Sequence, residues 1–375
     1  MTESGDAFAV IAGGGTAGHV NPGLAVAAAL VERGHPRSSI TWVGSERGLE
    51  ATMVPAAGHP LHLLPGRGVQ RRVALANVAA LWGIVVATLR AVGIVRRLRP
   101  GVVVALGGYA SVPCAFAAWV LRIPIVVMEQ NARPGLANRL AARVAKVAAV
   151  SFDGTALPRA VVTGNPLRRE IVAVRRDVHA ARQSLGLPLD RTVVFVTGGS
   201  LGASHINEVA LELVAAWSDR GELAVRHVVG PRNFDALRGR VPALPPGGLR
   251  YDLVGYEERM ADALVAADVV VCRASSGLVS EVAVIGVPSV LIPWSGAAED
   301  HQTANAQVLR AAGAAEVIGD ADLTAARLGA VLDTLIRDPA RRARMRAAAG
   351  AVARPDAAER VADLVERHAR RRADV

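Results

Sequence analysis

Three times along the chain a short apolar run ends in a glycine-dense loop and then re-enters as a helical run. Residues 8–12 lead into Gly13-Gly14-Gly15-Thr16-Ala17-Gly18-His19. Residues 102–106 lead into Gly107-Gly108-Tyr109, and residues 193–196 into Gly198-Gly199-Ser200-Leu201-Gly202. Strand, glycine loop and helix form the repeating unit of a parallel sheet wound on both faces, because a crossover helix must return the chain to the start of the next strand. Further strands are expected at 40–43, 123–128, 147–151 and 160–163, then at 224–229, 269–272 and 289–292. The series restarts after the turn-forming Gly164-Asn165-Pro166. The expected domains are therefore an N-terminal lobe over 1–164, a second lobe over 165–350 and a C-terminal helix over 351–375, for which packing back on the first lobe is one arrangement. The predicted class is α/β: two doubly wound, Rossmann-like lobes facing each other across a cleft. Ligands in such sheets sit beyond the carboxyl ends of the strands.

Composition narrows the function. Hydrophobic residues make up 51% and charged residues 20%, which excludes a disordered or coiled-coil chain. Aromatics at 3% are too few for a single-stranded nucleic-acid platform, so no nucleic-acid partner is expected. Cys114 and Cys272 lie far apart and form no CxxC, which argues against a disulfide scaffold or a cysteine zinc site and fits a reducing compartment. The polar first six residues lack the layout of a signal peptide.

The net charge of +10 calls for an anionic partner or a solvated face. In residues 66–100, Arg67, Arg71, Arg72, Arg90, Arg96, Arg97 and Arg99 bracket the uncharged stretch 73–89. That stretch is at the short limit for crossing a bilayer, and Asn77, Gly83 and Thr88 interrupt it. A long helix lying at an anionic membrane interface suits it better: Arg71 and Arg72 would meet headgroups, and Leu75, Leu81 and Trp82 the acyl boundary. An ordinary core-packing helix is the competing reading. The arginines near the C-terminus read as a solvated helix face.

Gly13-x-Gly15-x-x-Gly18 formally matches a dinucleotide fingerprint. Such a site also needs an acid about 20 residues on, at the end of the second strand. Here that strand ends in Val43-Gly44-Ser45, the first acid is the later Glu46, and the loop 198–202 would have no role. The glycine loops are better read as backbone cradles for diphosphates or an approaching acceptor.

With Glu129-Gln130-Asn131, Gly164-Asn165-Pro166-Leu167-Arg168 and Asp300-His301-Gln302-Thr303-Ala304-Asn305 added to the loops, the motifs follow one order over residues 8–365. In that order the chain resembles the bacterial MurG glycosyltransferases, which move N-acetylglucosamine from its UDP sugar to lipid I, giving lipid II for peptidoglycan. The resemblance implies a GT-B fold, inversion at the sugar carbon, and peripheral attachment to the cytoplasmic face of the cell membrane. It implies UDP-N-acetylglucosamine and lipid I as partners and no metal or other cofactor, with stimulation by Mg²⁺ left open. Two positions depart from the family pattern. Ala17 stands where a glycine is usual, and Leu278 stands where a hydroxyl is expected, which leaves a diphosphate contact there to the backbone or to Ser275 or Ser276.

Site roles follow from the resemblance together with the residue chemistry. Thr16, Ala17 and Gly18 would approach donor sugar and acceptor diphosphate through backbone N–H groups, and Gly14, Gly15, Gly108 and Tyr109 would face the acceptor. His19 is read as lying just before a helix capped by Asn21, with Pro22 in its first position. The positive end of that helix would keep the imidazole neutral, so that it can take the proton of the acceptor 4-hydroxyl. Holding the loop or an acceptor phosphate is its alternative role, and Glu129 is a competing base. Arg168 and Ser200 would hold the diphosphate, Asn131 sugar hydroxyls, and Gln302 with Asn305 those of N-acetylglucosamine. Tyr256 and the run Ser276, Gly277, Leu278, Val279, Ser280, Glu281 would line the donor. Within it Glu281 is expected to be buried and to bind the ribose diol. Asp320-Ala321-Asp322 has the DxD form of metal-dependent transferases but is read as capping a helix start.

Overall fold

Runs of Val, Ile and Ala build the strands, as a sheet covered on both faces requires. The structure, a computed structural model, describes residues 7–65, 76–199 and 202–370, with backbone only over 76–82. It divides into two compact units, Met1–Arg168 with Arg354–Val375, and Arg169–Ala353.

The first unit holds β1 (Ala9–Gly13), β2 (Ile40–Ser45), β3 (Leu61–Leu64), β4 (Val102–Gly107), β5 (Ile125–Glu129), β6 (Val147–Val150) and β7 (Ala160–Val162). All are parallel, in the order β3-β2-β1-β4-β5-β6-β7. Side chains alternate between the two faces. Ala9 and Ile11 pack with α1 (Ala17–Glu32), α2 (Glu50–Ala56) and the C-terminal helix Ala357–His368. Val10 and Ala12 pack with α3 (Ala76–Leu98), α4 (Ser111–Val120) and α5 (Leu136–Ala142). The C-terminal helix belongs to this core through the buried Val361 and Val365, and Arg33 on α1 reaches its Asp363 at 2.6 Å and Glu366 at 2.8 Å.

The second unit repeats the plan with β8 (Thr192–Thr197), β9 (Leu223–Val228), β10 (Arg250–Val254), β11 (Val269–Arg273), β12 (Ser289–Ile292) and β13 (Ala315–Val317). Again all are parallel, in the order β10-β9-β8-β11-β12-β13. Helices Ser204–Ala216 and Ala325–Arg337 cover one face. Each unit is thus a doubly wound parallel sheet of the expected class.

Two expectations change. Helix α1 starts at Ala17 with Thr16 as its N-cap, so Pro22 lies inside the helix and His19 in its first turn. The cost is one helical hydrogen bond, since Pro22 has no N–H to give the Gly18 carbonyl. The strands β3, β10 and β13 were not foreseen, and all three are sheet edges. The arginine-bracketed stretch becomes α3, one helix running through Arg90 to Leu98. Among the described residues no helix is long and apolar enough to cross a membrane. Arg71, Arg72 and Leu75 lie outside the described residues, as do the side chains of Leu81 and Trp82.

Candidate active site

In each sheet the strand order reverses once, between β1 and β4 and between β8 and β11. The chain leaves those neighbours toward opposite faces, which opens a crevice at their carboxyl ends.

In the first unit that crevice is built from glycine. A side chain on Gly13 would strike the Gly107 carbonyl, and one on Gly108 would come within 2.5 Å of the Gly14 carbonyl oxygen. Gly14 N–H donates to the Gly107 carbonyl at 3.3 Å, so the loops after β1 and β4 touch backbone to backbone. Thr16 is extended, and its carbonyl accepts from His19 and Val20 N–H at 3.1 Å each. Its hydroxyl does not cap the helix; it lies 3.1 Å from Nδ1 of His19. The imidazole sits over Gly107, where a β-carbon would be 3.2 Å from Nε2. Asn138 Nδ2 approaches the same point to 3.3 Å, so β1, β4 and α5 converge on Gly107.

Glu129 ends β5 and is 2% exposed. One carboxyl oxygen accepts from Asn131 N–H at 2.9 Å and Nδ2 at 3.2 Å; the other accepts from Asn138 Nδ2 at 2.9 Å and Gly135 N–H at 3.1 Å. Burial pushes its pKa above the usual carboxylate range, and these four hydrogen bonds oppose that rise. The carboxyl therefore organises the loop between β5 and α5. Asn138, an amide on the buried side of α5, was missed in the sequence, where it reads as an ordinary helix residue. The Tyr109 hydroxyl donates to the Pro65 carbonyl at 2.8 Å and lies 3.4 Å from that of Gly83, tying this loop to α3. Arg168, half-buried, closes the first unit.

In the second unit Gly202 is held against the Val229 carbonyl, leaving no room for a side chain, and Gly199 N–H donates to Thr197 Oγ1 at 3.1 Å. Ser200 lies outside the described residues. Ser275 caps helix Ser276–Ile285, its hydroxyl accepting from Leu278 N–H at 3.4 Å. That bond uses a lone pair and leaves the Ser275 O–H as a donor, while Ser276 is buried, so the Ser275 hydroxyl and the N–H groups of the first turn are what this loop offers an anion. Leu278 and Val279 turn into the core. Gly277, Ser280 and Glu281 share the partly exposed stripe of the helix. Glu281 is therefore half-buried, contrary to the expectation of an all-apolar helix: residues spaced three and four apart give the helix one polar edge. Position Cβ of Gly199 is 3.8 Å from Leu278, which brings the two loops together.

Gln302 accepts from Trp294 N–H at 3.0 Å through its carbonyl oxygen. Asn305 is fully buried and donates to the Ala274 carbonyl at 3.2 Å, holding the loop before Ser275. Tyr256 follows β10 and is exposed. Asp320 is not a helix cap; that role falls to Thr324, which accepts from Arg327 N–H at 3.2 Å. Asp320 instead pairs with the buried Arg273 at 2.6 Å and lies 3.3 Å from His205 Nδ1. Burial is the largest single influence and would raise its pKa, but the hydrogen bonds and charges of Arg273 and His205 together hold it below the usual carboxylate range. Among the described residues no group of three or more His, Cys, Asp or Glu is placed to hold a metal ion.

Comparison with known proteins supplies the chemistry. Residues 9–150 match the glycosyltransferase family 28 N-terminal domain and residues 193–361 its C-terminal domain. A protein from Clavibacter sepedonicus is 44% identical over 363 residues, 95% of each chain. It is named UDP-N-acetylglucosamine–N-acetylmuramyl-(pentapeptide) pyrophosphoryl-undecaprenol N-acetylglucosamine transferase. A relative of the same name from Anaeromyxobacter sp. (strain Fw109-5) is 39% identical, covering 97% of this chain and 94% of that one. Among solved structures, MurG from Acinetobacter baumannii superimposes with a TM-score of 0.79 at 29% identity, over 97% of this chain and all of that one.

Proposed function

The chain belongs to this transferase family within glycosyltransferase family 28, and from that membership we infer the reaction that its two crevices serve. It is a UDP-N-acetylglucosamine-dependent glycosyltransferase of the two-domain GT-B class. It moves N-acetylglucosamine to the 4-hydroxyl of the N-acetylmuramoyl group of lipid I, giving lipid II. The reaction is a single displacement with inversion: the acceptor oxygen bonds to the sugar carbon as the bond to the UDP oxygen breaks.

The observation that carries the catalytic assignment is the Thr16–His19 pair over Gly107. When Nδ1 donates its proton to the Thr16 oxygen, Nε2 is left as the acceptor nitrogen and takes the proton of the attacking hydroxyl. Glu129 is the weaker candidate, because both its oxygens already bind the loop 131–138. We assign it to shaping that loop, with Asn131 beside it for sugar hydroxyls. The loop Gly14-Gly15 with Gly108 receives the acceptor diphosphate.

UDP is assigned to the second unit. The ribose goes to Glu281 on the exposed stripe of its helix, and the uracil to Tyr256. The diphosphate goes to the N–H groups of the loop 198–202 and of the first turn at Ser276. Gln302 reads the sugar hydroxyls.

The membrane reading moves from residues 66–100 to the face beside them. Phe116, Val120 and Trp119, the last 55% exposed, stand on α4; Leu136, 58% exposed, and Leu140 stand on α5. Arg122, Arg139 and Arg143 are exposed around them. Apolar anchors within a basic rim suit the anionic cytoplasmic face of a membrane that also carries the lipid acceptor.

Ligand-induced thermal stabilisation tests the donor. A ligand at about 100 times its dissociation constant adds roughly 2.7 kcal/mol to the unfolding free energy. UDP-N-acetylglucosamine should raise Tm more than UDP-glucose, and NAD should leave it unchanged. A shift with NAD alone would return the glycine loop 13–18 to a dinucleotide role.

A further inference from the structure

Glu50 is the first residue of α2, yet its side chain is 1% exposed and turns away from solvent into the back of the first glycine loop. One oxygen accepts from Gly15 N–H at 2.7 Å; the other accepts from Ser45 N–H at 2.7 Å and from the Ser45 hydroxyl at 2.9 Å. The packing around it is as specific as the bonding. A β-carbon on Gly14 would lie 2.5 Å from one carboxyl oxygen, and β-carbons on Gly44 and Gly48 would run into the same side chain. Three glycines, from the loop after β1, the end of β2 and the loop after it, thus leave a socket that one carboxyl fills.

We propose that Glu50 is a positioning residue for transfer: it fixes the Gly14-Gly15 segment and, through it, the orientation of Thr16 and His19. The bonded Gly15 N–H belongs to the residue directly before the extended Thr16 whose hydroxyl faces His19. Two glycines with positive φ, Gly14 at 141° and Gly15 at 93°, lead into that residue, and neither resists rotation through a side chain. The bond to Glu50 is the side-chain contact that removes this freedom from Gly15. Displacing a reacting group by about 1 Å is enough to cost roughly 100-fold in rate, so holding this joint matters to chemistry as well as to folding. Glu50 touches no substrate in this assignment. The proposal rests on the reading of His19 as the base.

The test is a double-mutant cycle of Glu50→Gln with His19→Asn, read as kcat and KM for both substrates at a temperature well below either Tm. Glutamine has the same size, and one of its ends must present N–H to a donor, so the socket stays filled while the carboxyl's three bonds cannot all be kept. Glu50→Gln should lower kcat by about 10- to 100-fold and leave KM for UDP-N-acetylglucosamine within about twofold. In the His19→Asn background the same change should cost less than about threefold, because the loop then has no base to orient. Full additivity of the two losses, or an unchanged kcat in Glu50→Gln, overturns the positioning role. A near-normal kcat in His19→Asn alone instead overturns the base assignment, so the two failures separate. If Glu50→Gln does not fold, amide exchange in the unaltered chain decides: the Gly15 N–H should exchange slowly, and rapid exchange there contradicts the proposal.

Discussion

His19 lies over Gly107, and Glu129 is linked to the same point through Asn138; the two titratable groups have opposite surroundings. Glu129 is surrounded by four donors on the loop it organises, whereas His19 meets a hydroxyl that either accepts or donates. The sequence marked both, since each ends or follows a strand at the sheet's carboxyl edge. It could not divide their roles, because two of the four donors that engage Glu129 come from Gly135 and Asn138, beyond its own motif. Glu50 was illegible for a related reason: an acid in a Gly- and Ser-rich segment reads as a solvated charge, and only the three glycines packed on it reveal a socket. A third group, His227, makes a prediction about stability. It is 0% exposed, with Nδ1 3.0 Å from the Tyr251 hydroxyl and Nε2 3.1 Å from Asn207 Oδ1, and burial lowers its pKa to about 4. An unfolded chain takes up that proton near pH 6.5, the folded one only near pH 4. The contribution is therefore complete above about pH 6.5 and is lost as the pH falls toward 4, amounting to about 3 kcal/mol over the window. Chemical denaturation at pH 7.5 and pH 5 should show about 2 kcal/mol of this loss in the unaltered chain and a flatter dependence in His227→Asn; equal slopes would contradict it.

At the scale of elements, central strands were legible and, of the four edge strands, β7 alone was. β1, β4, β8 and β11 are continuous apolar runs because both their faces are covered. β3, β10 and β13 have one covered flank, carry His62, Arg250, Asp252 and Glu316, and so lose the pattern that announces a strand. Helix α1 began earlier than expected because proline is a stronger signal for a first turn than Thr16 is for a cap, although Thr16 has the extended backbone a cap needs. The proposed membrane face was hidden in the same way: α4 reads as a buried apolar helix and α5 as a short surface one, and their exposed apolar residues join only when the two pack side by side. Trp119→Glu with Leu136→Glu should abolish sedimentation with anionic vesicles at low salt while leaving UDP-N-acetylglucosamine binding intact. Unchanged sedimentation would remove this face from the membrane assignment.

The whole molecule is one plan used twice. Both sheets order their strands with the first beside the fourth, and both put their glycine loops at that reversal. The repeated strand, glycine loop and helix made this legible, because the pattern restarts where the second unit begins. Division of labour was not legible in either loop alone; it came from what surrounds each one. In the first unit a histidine lies over Gly107 and a carboxyl stands behind Gly15, which is why we propose proton transfer there. In the second a capped helix and a polar stripe ending in Glu281 offer N–H groups and one acid, which is why we propose the nucleotide there. Central to this account is transfer of N-acetylglucosamine to lipid I with His19 as base. Purified chain, UDP-N-acetylglucosamine labelled in the sugar and lipid I in detergent should give a labelled disaccharide lipid with inverted anomeric configuration. His19→Asn should lower that rate by about 100-fold or more at unchanged UDP affinity. Label appearing as free sugar with no disaccharide lipid, or a His19→Asn rate equal to that of the unaltered chain, would contradict it.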